Sequence, residues 1–227
     1  MSRGRLEAFS DGVFAVAITL LALNLTVAGP GHGKLINLLG HAWPAFVAYV
    51  VSFFTIGVIW VNHRSLFSGL ARVDRVLLFL NLLLLLFVVA IPFTTATFAE
   101  YLHAGGSNAR VAGALYGAVM TGMAVSFGLI FAWALRHDHT IGTMSPKARR
   151  TAQLRFGAGT AVYLIATGVS FLSPPAALGC YAAVAAYYVL EHTPGEPAPG
   201  ETASGGPATG PPAAGEPASG PAAPTSD

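Results

Sequence analysis

Asp11 is the residue from which chemistry has to be argued, because it lies in the first apolar stretch of the chain. A carboxylate at a membrane entry is costly unless it is paired, so its partner has to be found. The local run is Arg5-Leu6-Glu7-Ala8-Phe9-Ser10-Asp11. Arg5, six positions earlier, is too far round a helix to be an ideal partner. Donors on other segments are Trp60, His63, Arg64 and Asn81. The alternative for Asp11 is a charge near a helix N-terminus, held at the interface by the helix dipole. Asp11 and His63 could also act as an acid and a base, but no nucleophile or metal set accompanies them, which argues against an enzyme. His137-Asp138-His139 places three potential ligands side by side without a fourth, the pattern of a solvated loop rather than a metal site. No nucleotide-binding glycine loop, G-x-S-x-G elbow or H-E-x-x-H occurs, and no cofactor is expected.

The segments that carry these residues are apolar. Of 227 residues 54% are hydrophobic and 10% are charged. Soluble domains carry about 25% charged residues, so a cytosolic enzyme or a nucleic-acid binder is excluded. Six apolar runs, near 9–28, 43–61, 76–99, 111–135, 156–173 and 175–190, predict an all-α integral membrane protein with six transmembrane helices. Arg3 and Arg5 before the first run could open a signal peptide, but Glu7 and Asp11 spoil that pattern. Pro92 predicts a kink in the third run, and Pro174-Pro175 suit the start of the sixth. Gly113-x-x-x-Gly117 and Gly122-x-x-x-Ser126 predict helix packing in the fourth.

Two domains follow: a six-helix body, 1–192, and a Pro/Ala/Gly-rich tail, 193–227, expected to be disordered and cytoplasmic. The tail has no Lys or Arg, so the body is the basic part. Its Arg and Lys residues fall mainly in the N-terminus and the even loops, which places both termini in the cytoplasm of a multi-pass plasma-membrane protein. Lys147, Arg149 and Arg150 form a basic patch that fits contact with membrane lipids and equally the ordinary positive-inside bias. Cys180 is the sole cysteine, so no intrachain disulfide can form.

The first helix carries two stripes. Phe9, Val13, Val16, Leu20, Leu23 and Val27 recur at alternating steps of four and three, a heptad-like seam of bulky apolar groups. One position earlier, Gly12, Ala15, Thr19, Ala22 and Thr26 make a seam of small residues that would let helices approach closely. The bulky seam either faces lipid or faces its symmetry mates around a pore. Periodicity does not choose between the two.

Arg5-x-x-x-Phe9-Ser10-Asp11 at the start of a first transmembrane helix resembles the signature of the lysosomal potassium channel family named transmembrane protein 175 and its bacterial relatives. The resemblance continues through Trp60-x-x-His63, Asn81 and Ile91-Pro92-Phe93, over roughly the first 100 residues. It implies a potassium-permeable, leak-type channel whose first helix lines a central pore, with K⁺ as the permeant ion. It implies one six-helix repeat per chain and a homotetramer, since a second Phe-Ser-Asp is absent. It assigns the constriction to Val16, Leu20 and Leu23, with Val16 standing where Ile is more usual. It assigns Arg5, Phe9, Ser10, Asp11, Trp60, His63 and Asn81 to the motif and to a network joining the first helix to the second and third. No TVGYG loop is present, so the filter expected is a hydrophobic gate that works by dewetting. Asn24 and Thr26 could re-solvate the ion beyond it. A secondary transporter of a small solute is the alternative, although such proteins carry interrupted helices in two related halves.

Overall fold

The computed structural model describes residues 2–26, 31–137 and 146–191, and among these every regular element is helical. In chain order they are α1 (Arg3–Leu23), α2 (Leu35–His41), α3 (Trp43–Ser68), α4 (Arg75–Ala104), α5 (Gly106–Arg136), α6 (Pro146–Leu172) and α7 (Pro174–Glu191). Four of the expected apolar runs lie within single long helices, whereas the first, 9–28, extends past the end of α1 at Leu23 and the fifth, 156–173, one residue past α6. α2 has no counterpart among the expected runs, because its seven residues, though four are Leu or Ile, fall far short of the about 20 that a membrane run needs. Four helices, α1, α3, α4 and α5, are long and apolar enough to cross a membrane. The apolar parts of the last two are shorter, Gly157–Leu172 and Pro174–Leu190. The expected tail at 193–227, Val27, and Asp138 and His139 of the histidine-rich loop lie outside the described residues, as do the side chains of Lys147 and Arg149.

The helices overrun their apolar runs because backbone hydrogen bonding continues until a residue stops it. At the start of α4 the Asp74 carboxylate accepts from the Leu77 amide at 2.8 Å, a side-chain N-cap. At its end Gly105 takes φ of 72°, a left-handed turn that most residues resist, and α5 begins at once. Pro92 does not end α4, which is assigned as one helix across it. Just past the proline the hydroxyls of Thr94 and Thr95 donate back to carbonyls of Ala90 and Ile91. α7 opens on Pro174, where the missing amide costs nothing, and Ser173 Oγ accepts from the Ala176 amide at 3.4 Å.

α4 packs chiefly on α5, α1 and α3, while α5 also holds α6. The glycines of α5 set that packing. A Cβ at Gly117 would collide with Thr167 and Tyr181, and one at Gly113 would lie 3.1 Å from Ser170. Gly122 instead admits the Phe87 ring of α4. A buried polar node crosses the same layer: Ser52 Oγ lies 2.8 Å from Thr95 Oγ1 and 3.0 Å from the Tyr116 hydroxyl.

α1 uses a face that neither sequence stripe named. Its buried residues are Leu6, Ser10, Phe14, Ala17 and Leu21, and these meet α3 and α4. The small seam was expected to be where helices approach closely. Within the protomer it is not: Ala15, Thr19 and Ala22 are exposed, and a Cβ on Gly12 would meet nothing. Leu6, Phe14 and Leu21, with Ser10 and Ala17 between them, fill the space against α3 and α4 more completely than a stripe of small side chains would.

Candidate functional site

The polar residues of the first three long helices converge where α1 begins and α3 ends. Trp60 Nε1 on α3 donates to Asp11 Oδ1 on α1 at 2.8 Å. At the preceding residue of α1, Asn81 Nδ2 on α4 donates to Ser10 Oγ at 3.0 Å, and Ser10 Oγ donates to the Leu6 carbonyl at 2.9 Å. The Asn81 Oδ1 lies 2.8 Å from His63 Nε2. An amide oxygen only accepts, so Nε2 carries the imidazole proton. Ser10, His63 and Asn81 are each buried to within 1% of complete.

Aromatic groups hold the imidazole in place. Its ring stacks on Phe67 with centroids 4.2 Å apart and meets Phe14 edge-on at 5.4 Å. The Arg64 guanidinium sits over the Trp60 ring at 5.9 Å, a cation–π distance, rather than on Asp11. Of the predicted network, then, Ser10, Asp11, Trp60, His63 and Asn81 come together.

Arg5 and Phe9 do not join them. Both are exposed, and Arg5 makes no side-chain bond with the described residues. The arginine that ties α1 down is Arg3, which donates to the carbonyls of Ser68 at 3.1 Å and Leu70 at 2.9 Å and pairs with Glu7 at 3.4 Å. No side-chain pattern could reveal it, because its inter-helix partners are backbone carbonyls. A second carboxylate–indole pair also went unread: Trp133 Nε1 on α5 donates to Asp74 Oδ2 at 2.9 Å. An acid just before an apolar run was the available signal for the cap, though not for the indole.

The candidate constriction residues lie on the side of α1 turned away from this network. Val16 is 54% exposed, Leu20 37% and Leu23 74%, while Phe14 and Leu21 on the packed face are buried. The Thr19 hydroxyl, on the adjacent exposed stripe, donates to the Val16 carbonyl at 2.8 Å. At the far end of α1, Asn24 Nδ2 donates to the Pro92 carbonyl at 3.2 Å, so the amide expected to re-solvate an ion also latches α1 to α4. Among the described residues no group of three or more His, Cys, Asp or Glu side chains is arranged for a metal.

Residues 5–92 match the model of the endosomal/lysosomal potassium channel TMEM175, a stretch that holds the whole network and the Asn24–Pro92 latch. A potassium channel of Streptomyces collinus is 45% identical over 193 residues, which are 84% of this chain and 93% of that one. The chain belongs to the TMEM175 family. A potassium channel of Chamaesiphon minutus is 39% identical over 197 residues, 82% of this chain and 93% of its own. The crystal structure of a lysosomal potassium-selective channel TMEM175 homolog from Chamaesiphon minutus superposes with a TM-score of 0.72 at 36% identity, covering 83% of this chain and 97% of that one. TMEM175 is a family of channels, not of enzymes, and Asp11 with His63 is therefore read as structure rather than as an acid–base pair.

Proposed function

We propose that this chain is the subunit of a potassium-permeable leak channel in the plasma membrane, a homotetramer with α1 of each subunit around a central pore. All six long helices span the bilayer in this reading, with both termini cytoplasmic and membrane lipids around the outer helices. At about 1.5 Å per residue, α1 is long enough for a hydrocarbon core of about 30 Å. The observation that carries the pore assignment is the exposed bulky stripe of α1 in a protomer whose other α1 face is already packed. Relatives named potassium channels, aligned over nearly their full lengths, support the permeant ion.

Val16, Leu20 and Leu23 would form three stacked apolar rings, about 6 Å and then about 4.5 Å apart along the axis. Such rings offer an ion nothing to bind, so passage requires partial loss of its water shell. Potassium holds that shell less tightly than sodium and passes more readily. The network of Ser10, Asp11, Trp60, His63 and Asn81, with the Arg5 and Phe9 motif positions beside it, serves to set the rotation of α1 so that the stripe faces the axis. The unbroken course of α1 argues against a transporter, whose binding sites use interrupted helices.

Purified protein in planar bilayers tests the proposal. Reversal potentials in opposed K⁺ and Na⁺ gradients should follow K⁺, and an imposed proton gradient should move them little. Leu20→Asn and Leu23→Asn should raise conductance and blur selectivity. Equal K⁺ and Na⁺ permeabilities sink the selectivity claim, unchanged currents in both variants move the pore elsewhere, and flux strictly coupled to a second solute replaces the channel with a transporter.

A further inference from the structure

Beside the last turn of α1, on the side packed against α3 and α4, lies a cavity of about 450 Å³ between the start of α3 and the later turns of α4. Its polar lining is rich in oxygen acceptors. Asn24 spends its Nδ2 on the Pro92 carbonyl, which leaves Oδ1 as its accepting atom. Thr26 adds a hydroxyl and Glu100 a carboxylate, and both residues are exposed. The last carbonyls of α1 add the partial negative charge of a helix C-terminus. Among the described residues no Lys or Arg lines the cavity: Lys34, ahead of α2, and Arg110, in the first turns of α5, both stand outside it. The Glu100 carboxylate has no ion-pair partner among the described residues. His41, at the rim, lies 2.7 Å through Nδ1 from the Asn37 carbonyl.

A carboxylate held in a roomy concave site without a basic partner raises the local concentration of cations. We infer that this cavity is a side vestibule that collects hydrated monovalent cations at the end of α1 past Leu23, with Glu100 as its charge and Asn24 and Thr26 as its water-replacing acceptors. The inference rests on the channel reading. Each subunit supplies one such carboxylate, so the field at the mouth sums over the assembly. It acts on ions entering from that side and leaves the constriction, and hence the ratio of permeabilities, unchanged.

Single-channel conductance of the full chain in planar bilayers, at about pH 8 where imidazoles are uncharged, is the test. Glu100→Gln should lower conductance for K⁺ entering from one side by roughly threefold at about 0.01 M salt, where screening reaches about 30 Å, and have no effect at about 1 M, where it reaches about 3 Å. Glu100→Asp should restore it, and the K⁺/Na⁺ reversal potential should stay as in wild type. A Glu100→Gln channel that matches wild type at low salt overturns the vestibule, and so does an equal loss in both directions at every salt concentration. Should that variant fail to assemble, the wild type still decides. Its conductance should fall less than in proportion to salt for entry from one side only, and proportional decline from both sides overturns the inference. Wild-type protein that carries no current refutes the channel reading itself.

Discussion

Asn81 is the hinge of the buried network, and replacing it tests whether that network holds α1 in place. Asn81→Leu removes the acceptor for the His63 Nε2 proton and the donor to Ser10 Oγ. His63 is 1% exposed, so its N–H would be left without water as well as without a partner. An orphaned buried donor costs about 1–3 kcal/mol, and polar contacts between membrane helices contribute about 0.6–1.7 kcal/mol, so the single variant should lose about 2–3 kcal/mol. Ser10 loses less, because its hydroxyl still donates to the Leu6 carbonyl. His63→Phe keeps a ring between Phe67 and Phe14 but orphans Asn81 Oδ1, and should cost about 1–2 kcal/mol. With both replaced neither orphan remains, and the double variant should lose only about 1–2 kcal/mol, short of the summed singles by about 2 kcal/mol. Unfolding in mixed micelles titrated with sodium dodecyl sulfate and followed by circular dichroism reads all three. Losses that add to within about 0.5 kcal/mol would refute the coupling, and with it the view that these residues act as one network.

Three more perturbations follow from the same geometry. Asp11→Ala and Trp60→Phe each break the 2.8 Å indole–carboxylate bond, and both should lower the recovery of assembled oligomer on size-exclusion chromatography. A normal oligomer with wild-type current in both would remove the assembly role. On α5, Gly117→Ala drives a methyl into Thr167 and Tyr181 and should destabilise by about 1–3 kcal/mol, whereas Gly128→Ala meets nothing and should be neutral or stabilising by up to about 1 kcal/mol. Equal effects of the two on thermal unfolding in detergent would contradict the close approach of α5 to α6 and α7. Asp74→Ala removes both the α4 cap and the acceptor for Trp133, and should cost about 2–3 kcal/mol. A loss confined to the cap, about 1 kcal/mol in the same melt, would show that the indole bond contributes nothing.

The residues themselves determined the class of this protein and most of its polar cluster. Long apolar runs point to helices because lipid leaves a backbone no choice but to satisfy its hydrogen bonds internally, and four of the helices are long and apolar enough to cross a membrane. A carboxylate within an apolar helix needs a donor, and few donors are available there. That scarcity is why Trp60, His63 and Asn81 could be named beside Asp11 before any coordinates. What tertiary structure alone decided is which donor meets which acceptor: Trp60 rather than Arg64 on Asp11, and Asn81 between Ser10 and His63. Helix rotation sets those pairings, and hydropathy does not report rotation. It likewise decided that α1 packs through Leu6, Ser10, Phe14, Ala17 and Leu21, leaving both of its more conspicuous stripes exposed. Arg3 displaced Arg5 as the anchor for the same reason, since backbone carbonyls at Ser68 and Leu70 exist as partners only once α3 has ended beside α1. The Glu100 cavity was beyond the sequence too, because residues near 24, 41 and 100 share a wall only after three helices have packed.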